Sequence, residues 1–442
     1  MIRAGDTDGD GPDQHAPTVL LADDLTGALD CAAAFAGRGV SSFVSVGRDI
    51  ARAPRVDLVS VNLDTRRLPA REAAAVVART VAASRGAARL GYVKIDSTLR
   101  GHPGAEIGAA AEASGAALVI VTPAFPATGR TVEDGRLAVH GVPLAETEVG
   151  RDALSPVATS LVSEVLRRDC RLPLRTCPLD DIRSGRLRDT LAAAMEPAGA
   201  QAPSLLVCDA ATDADLDRLV EVALQCERPA APILFAGSAG LASALARATS
   251  RGGAPVAETP TATPPVLLVS ASQRALAGRQ FAQLAERRLA EVHALRFRID
   301  GGGQAIRTHF DRQAVSETLA ARRSVALRTD TEGGAPSPAE SRTTADAITQ
   351  ALAAIVAGLA AEHPIGGLVL VGGDTARAVL SAIEAAGIVL AGEVEPGTPV
   401  GAIAGGPPAG ATTATKAGAF GDDRTLVRLF HRIDPYPEGT PA

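Results

Sequence analysis

The chain has 442 residues, 46% of them hydrophobic and 21% charged, with a formal net charge of −6 and no tryptophan. That length is too great for one core and predicts two domains, and the composition is that of an ordinary globular protein. The acidic balance, with no basic stripe interleaved with aromatics, argues against a nucleic-acid partner, and no apolar run approaches the roughly 20 residues of a membrane span.

Residues 1–16 read as a disordered tail, polar and acidic rather than signal-like. Within them Asp6-Thr-Asp8-Gly-Asp10-Gly11 imitates the start of a calcium loop, but Pro17 stands where the bidentate Glu belongs. Cys31, Cys170, Cys177, Cys208 and Cys226 are odd in number and never spaced C-x-x-C. They suit neither a disulfide framework nor a zinc ribbon, and reduced thiols in a cytoplasm fit best.

In chain order, the apolar run 18–22 predicts a strand ending in Asp23-Asp24, followed by helical periodicity from Thr26 to Gly37. Strands are predicted at 56–62, 90–95 and 117–122, with helices near 70–84 and 104–114. Residues 123–155, rich in Pro, Gly and Thr, read as a looser section. Strands resume at 204–209 and 232–237, each followed by a helix. Short buried strands alternating with helices predict a largely parallel α/β sheet.

Residues 250–264, rich in Pro and Gly, are the expected linker between a domain at 17–249 and one at 265–432. After it, strands are predicted at 265–272, 296–299, 324–329, 367–374 and 398–406, with a long amphipathic helix at about 342–361 and a surface loop at 332–341. The expected architecture is two α/β domains with mainly parallel sheets and an interdomain cleft, the default place for a small ligand.

Neither a P-loop nor a strand-coupled G-x-G-x-x-G is present. The strand 367–371 runs instead into Gly372-Gly373-Asp374-Thr375, which would open a helix with free backbone N–H groups at a strand's carboxyl end. A plain tight turn with Asp374 as helix cap fits the same residues. Ser270 and Ser272 end another strand, and the glycine-rich segment 405–423 carries Lys416. Three such loops in one domain resemble a phosphate cradle. The chain has two lysines, Lys94 and Lys416, among 44 basic residues, which suggests places that need an ammonium rather than any positive charge.

The first domain has different chemistry. Asp23 and Asp24 are costly at a strand end unless one binds something, accepts a proton or caps the helix. Alternation along a strand predicts that the two point to opposite faces. Lys94-Ile-Asp96-Ser97-Thr98-Leu-Arg100-Gly-His102 crowds polar groups just after a strand, with Arg100 suited to clamp a carboxylate. Arg130 sits in a Pro/Gly loop. His102 and His140 have no partner at metal-ligand spacing.

Taken together, ADDLTGALD (22–30), KIDSTLRGHPGAE (94–106), PAFPATGRT (123–131), VGGDTA (371–376), GEVEPGTPVG (392–401) and KAGAFGDD (416–423) resemble the four-carbon acid sugar kinase family over about residues 17–432. The resemblance implies an N-terminal sugar-acid-binding domain, a C-terminal nucleotide-binding domain, and ATP- and Mg2+-dependent phosphorylation of a tetronate at its terminal hydroxyl. It implies catalytic roles for Asp24 as base, Lys94 and Lys416; sugar-acid contacts from Asp23, Asp96, Ser97, Arg100 and Arg130; and nucleotide contacts from Ser270, Ser272, Gly372, Gly373, Asp374, Thr375 and Gly418. No dedicated metal ligands are assigned. The IDSTLRG form looks more like the threonate/erythronate branch than the 3-oxo-tetronate branch. Ala271, where the family tends to have glycine, is a departure in the ATP loop. Two other classes fit some of the residues: a Schiff-base, aldolase-type enzyme using Lys94, and a sugar-acid sensor without turnover.

Overall fold

The computed structural model describes residues 16–151, 156–196, 203–250, 260–272, 274–300, 305–332, 338–395, 397–418 and 420–434. The expected tail, with its calcium-like stretch, and most of the expected linker lie outside them. The chain divides into two units, Met1–Val256 and Ala257–Ala442.

In the first unit the strands are β1 (Thr18–Ala22), β2 (Ser42–Ser45), β3 (Leu58–Asn62), β4 (Arg89–Lys94), β5 (Leu118–Thr122), β6 (Arg130–Glu133), β7 (Arg136–Val139), β8 (Val142–Pro143), β9 (Leu174–Cys177), β10 (Ser204–Cys208) and β11 (Ile233–Gly237). The helices are α1 (Leu25–Ala36), α2 (Ala70–Ser84), α3 (Pro103–Ser114), α4 (Val162–Asp169), α5 (Leu179–Ser184), α6 (Leu187–Met195), α7 (Asp213–Cys226) and α8 (Ala239–Thr249). Eight strands run β2-β3-β1-β4-β11-β5-β10-β9, and every pairing among them is parallel. Strands covered on both faces need apolar residues at consecutive positions. Accordingly β1, β2, β3, β5 and β11 are buried throughout. Residues 123–155, expected as a loose section, hold the antiparallel sheet β6-β7-β8. Its turns use left-handed residues, Gly129, Asp134, Gly135 and His140, which a reading for apolar periodicity does not detect.

After β1 the sheet grows first through β3 and β2, then on the other side through β4. The order reverses between β1 and β4, and ligands of open α/β sheets bind outside the carboxyl ends of strands at such a reversal. Those ends are Asp23-Asp24 and Lys94.

The second unit contains β12 (Val266–Ser270), β13 (Glu291–Ile299), β14 (Ala305–His309), β15 (Val325–Glu332), β16 (Gly367–Val371), β17 (Gly387–Glu393), β18 (Pro399–Ala404) and β19 (Thr412–Lys416). Its helices are α9 (Ala275–Glu286), α10 (Arg312–Ala320), α11 (Pro338–Glu362), α12 (Gly373–Ala382) and α13 (Thr425–Ile433). The order is β14-β13-β15-β12-β16-β19-β18-β17. The centre is parallel, whereas β14, β18 and β17 join antiparallel. Val266, Leu268, Phe281, Val369, Leu426 and Phe430 share one buried cluster. Here the reversal falls between β12 and β16, whose ends Ser270 and Val371 are register partners.

Two expectations are corrected. Lys416 ends a strand, β19, rather than lying in a loop; its run TTATK is β-branched at three of five positions, which favours a strand. The helix α11 includes Arg342–Glu362, long and apolar enough by composition to cross a membrane, so the apolar-run reading missed one such segment. Leu352, Ala353, Val356 and Leu359 on it are fully buried within the unit. The expected loop 332–341 lies partly outside the described residues, and its last four residues belong to α11.

Helix α3, which carries the segment after β4, is held by close contact with α4. A Cβ on Gly104 would lie 2.2 Å from the Leu166 carbonyl oxygen. Gly104→Ala should gain about 1 kcal/mol of helix propensity and lose more, because two backbones must part, a cost of about 1–3 kcal/mol or above. A lower urea midpoint is the expected result; an unchanged or raised midpoint would show that α3 and α4 are free to separate.

Candidate functional site

At the carboxyl ends of β1, β3 and β4, one guanidinium joins three carboxylates. Arg66 Nε and Nη2 donate to the two oxygens of Asp23 at 2.6 and 2.9 Å. Its Nη1 donates to Asp24 Oδ2 at 2.7 Å, and Nη2 lies 3.5 Å from Asp96 Oδ1. Asp96 in turn is clamped by Arg100, with Nε and Nη2 each at 2.8 Å, and accepts from the Thr98 hydroxyl and from Thr98 N. Asp24 also caps α1, accepting from Gly27 N at 2.8 Å.

Electrostatics follow from this packing. Burial disfavours the Asp96 anion, but Arg66 and Arg100 outweigh it and hold Asp96 well below the usual carboxylate range. Burial dominates at Asp23, joined by the Asp24 charge, and raises its pKa despite Arg66 and Lys94. Lys94 is buried, which alone would lower its pKa; Asp23, Cys31 and Asp24 more than reverse this and keep it an ammonium. Its Nζ lies 2.7 Å from the point where a Gly27 Cβ would sit, and Asp24 Oδ1 is equally close to that point. Glycine at 27 is therefore what lets the ammonium and the capping carboxylate approach the same place.

Arg130 donates through Nη1 to the Thr128 carbonyl, and its Nε is buried without a partner. Burial lowers its pKa, with Asp96 opposing and Arg100 reinforcing the effect, so it belongs to the same cluster. Ser97 is half-buried in the same segment as Asp96 and Arg100.

In the second unit Gly372, at φ 105°, turns β16 into α12; this left-handed backbone favours glycine. Ser270 is buried and donates to the Val371 carbonyl, and its oxygen accepts from Ser272 N. The Thr375 hydroxyl accepts from Ala271 N at 3.1 Å. These bonds tie the β12 and β16 ends together beside the N-terminus of α12, where Asp374 is exposed and the first-turn N–H groups have no partner within the helix. A Cβ on Gly418 would stand 3.1 Å from Ser272 Oγ, so the loop after β19 packs on that after β12. Lys416 Nζ donates to the Ala417 and Phe420 carbonyls, both at 2.8 Å. Burial pushes its pKa down to about 8, against the opposing charge of Glu395. No group of three His, Cys, Asp or Glu side chains suited to a metal occurs among the described residues.

Residues 18–245 match the family model of a sugar-binding N-terminal domain, and residues 267–426 that of a nucleotide-binding C-terminal domain. D-threonate kinases are similar along their whole length. The Cupriavidus necator enzyme is 37% identical, covering 94% of this chain and 97% of its own. The Salmonella typhimurium enzyme is 32% identical, covering 94% and 98%. A 3-oxo-tetronate kinase of Methylobacterium radiotolerans is 31% identical, covering 91% and 95%. This chain belongs to the four-carbon acid sugar kinase family. A solved Haemophilus influenzae structure shares the fold, with a TM-score of 0.69 at 21% identity over 94% of this chain and 100% of that one.

Sequence reasoning about this sugar acid kinase missed Arg66, the residue that joins the cluster. A signal existed: Asp64-Thr65-Arg66-Arg67 comes one residue after the buried strand β3, much as Asp96-Ser97-Thr98-Leu99-Arg100 comes one residue after β4. The expectation that Asp23 and Asp24 face opposite ways also fails, since both bind Arg66. The strand ends at Ala22, so alternation no longer governs the two residues after it.

Removing one partner of a buried ion cluster strands the others. Arg66→Met should lower the stability of this kinase by about 3–5 kcal/mol, as read from urea unfolding. A loss under about 1 kcal/mol would mean that Asp23 and Asp96 are neutralised by another route.

Proposed function

We propose that this protein transfers the γ-phosphoryl group of ATP to the terminal hydroxyl of a four-carbon sugar acid, with D-threonate the leading substrate. The observation that carries this reading is the cluster at the β1/β4 reversal, where carboxylates, guanidiniums and an ammonium converge on one strand-end site of a sugar-binding family domain. Three D-threonate kinases, 32%, 37% and 35% identical over 94% of this chain, support the choice of acid.

Phosphoryl transfer needs alignment, charge neutralisation and a proton acceptor. Asp24 is the proposed base. Its side chain is 26% exposed, while Asp23 at 2% is enclosed by Arg66, so a hydroxyl reaches Asp24 more readily. Asp96 fixes two nitrogens of Arg100 and leaves Nη1 for the carboxylate of the acid, with Arg130 and Ser97 beside it. Lys94 and Asp23 supply the surrounding charge, and Lys416 is the proposed neutralising charge near the phosphates. The α12 N-terminus, with Gly372, Gly373, Asp374 and Thr375, is the proposed phosphate seat, flanked by Ser270, Ser272 and Gly418. The described residues form no metal cage of their own. Mg2+ is proposed to arrive with the ATP phosphates. Five free cysteines accord with a cytoplasmic setting.

The Schiff-base reading needs an amine poised to lose its proton, and the carboxylates around Lys94 hold it charged instead. The 3-oxo-tetronate reading keeps the same site with a different acid, supported by a relative 31% identical.

A coupled ADP-release assay across D-threonate, L-threonate, D-erythronate, L-erythronate and 3-oxo-tetronate tests the acid. The highest kcat/KM is expected for D-threonate; a preference for 3-oxo-tetronate would reassign the chain within its family. Asp24→Asn keeps a good helix cap and an oxygen that accepts from Arg66 but removes the base, so kcat should fall by a factor of about 10² or more, with a smaller loss of stability than in Arg66→Met. Near-normal turnover in that variant, with collapse in Asp23→Asn, would move the base to Asp23.

A further inference from the structure

A fourth acid lies behind the cluster and has no part in the mechanism above. Glu106, in the first turn of α3, is 3% exposed. Its Oε1 is buried without a hydrogen-bond partner, and so is the Thr65 hydroxyl oxygen beside it. The charges that act on Glu106 come from three strand ends: Asp23 after β1, Arg66 after β3 and Lys94 on β4. The buried faces of α2 and α4, which also pack against α3, carry no ionisable side chain. Cys170, whose thiol lies against Gly108, is kept neutral by burial.

Counting charges shows what this position means. Asp23, Asp24 and Asp96 face Arg66, Lys94 and Arg100, three against three, and Arg130 adds one more cation at the edge. The surplus of one matches the carboxylate of an incoming sugar acid. An ionised Glu106 would cancel that surplus, and an anion whose neighbouring donor, the Thr65 hydroxyl, makes no formed hydrogen bond to it is costly to bury. We propose that Glu106 is a positioning residue of this kinase, a neutral acid whose proton leaves the cluster one positive charge for the substrate carboxylate. Burial first, then the Asp23 charge, pushes the Glu106 pKa up to about 8, with Thr65, Arg66 and Lys94 opposing. Loss of the proton above that pH draws Arg66 and Lys94 toward Glu106 and weakens the hold on the acid. The effect belongs in KM rather than in kcat.

This inference rests on the kinase reading, so its test has an arm that does not need turnover. In wild-type protein carrying glutamate labelled with 13C at the side-chain carboxyl, one resonance should titrate near pH 8 and vanish in Glu106→Gln. The sign for stability follows from a raised acid pKa. Wild type should lose stability relative to Glu106→Gln as pH rises from the ordinary value of 4.5 toward 8. In the kinetic arm, 1/KM for D-threonate should fall about tenfold between pH 7 and pH 9, and Glu106→Gln should flatten that fall to about twofold; Lys416, with a pKa also of about 8, sits in the nucleotide-binding unit, and its loss of charge is read in kcat. A wild-type spectrum with no glutamate titrating near pH 8 overturns the proposal even if the variant does not fold. A folded Gln variant that keeps the alkaline fall overturns it as well. If no tetronate is turned over, the kinase reading fails, and the carboxyl titration still decides whether Glu106 is a neutral acid.

Discussion

The N-terminal site depends on Arg66. A planar guanidinium offers five donors in a fixed fork, and here that fork meets Asp23 on one edge, Asp24 on the next and Asp96 nearby. Three strand ends are thereby fixed to one another by charge. Without the arginine, adjacent carboxylates at the ends of parallel strands would repel and protonate; with it, they form a rigid acidic rim that a lysine and a second arginine complete. A lysine at 66 would carry the same charge and could not bridge three acids in one plane.

The same geometric rule places the glycine turn into α12 at a reversal of the other domain's sheet. Its sheet reverses between β12 and β16, as the first reverses between β1 and β4. In both, side chains tie the strand ends together: Arg66 joins those of β1, β3 and β4 in the first, and the Thr375 hydroxyl, accepting from Ala271 N, joins those of β12 and β16 in the second. Hydroxyls and carboxylates that look like ligand groups in sequence thus have structural partners already.

Much of this was legible in the chain itself. The apolar runs of β1, β3, β5, β10, β11 and β16 are short and continuous because parallel strands bury both faces, and that pattern marks them clearly. The antiparallel hairpin at 130–143 and the strand β14 were not legible, since their residues mix polar and apolar types and their register comes from turns and neighbours. Among site residues, the polar crowd after β4 stood out because glycine and hydroxyl residues surround it. Arg66 and Glu106 did not stand out. One is an arginine in an arginine-rich chain, and the other is an acid in the first turn of a helix, where acids are common. Only the fold shows that the first is enclosed by carboxylates and the second lacks a partner.

Both lysines are interior: Lys94 is 6% exposed and Lys416 2%. The cationic exterior of this protein is therefore guanidinium throughout. Apart from its α-amino group, the folded molecule presents almost no primary amine to solvent, so acylating reagents and enzymes that modify lysine find little to act on while the two domains stay closed around their cores. Unfolding would uncover both amines, which makes amine reactivity a direct report on the integrity of the two strand-end sites.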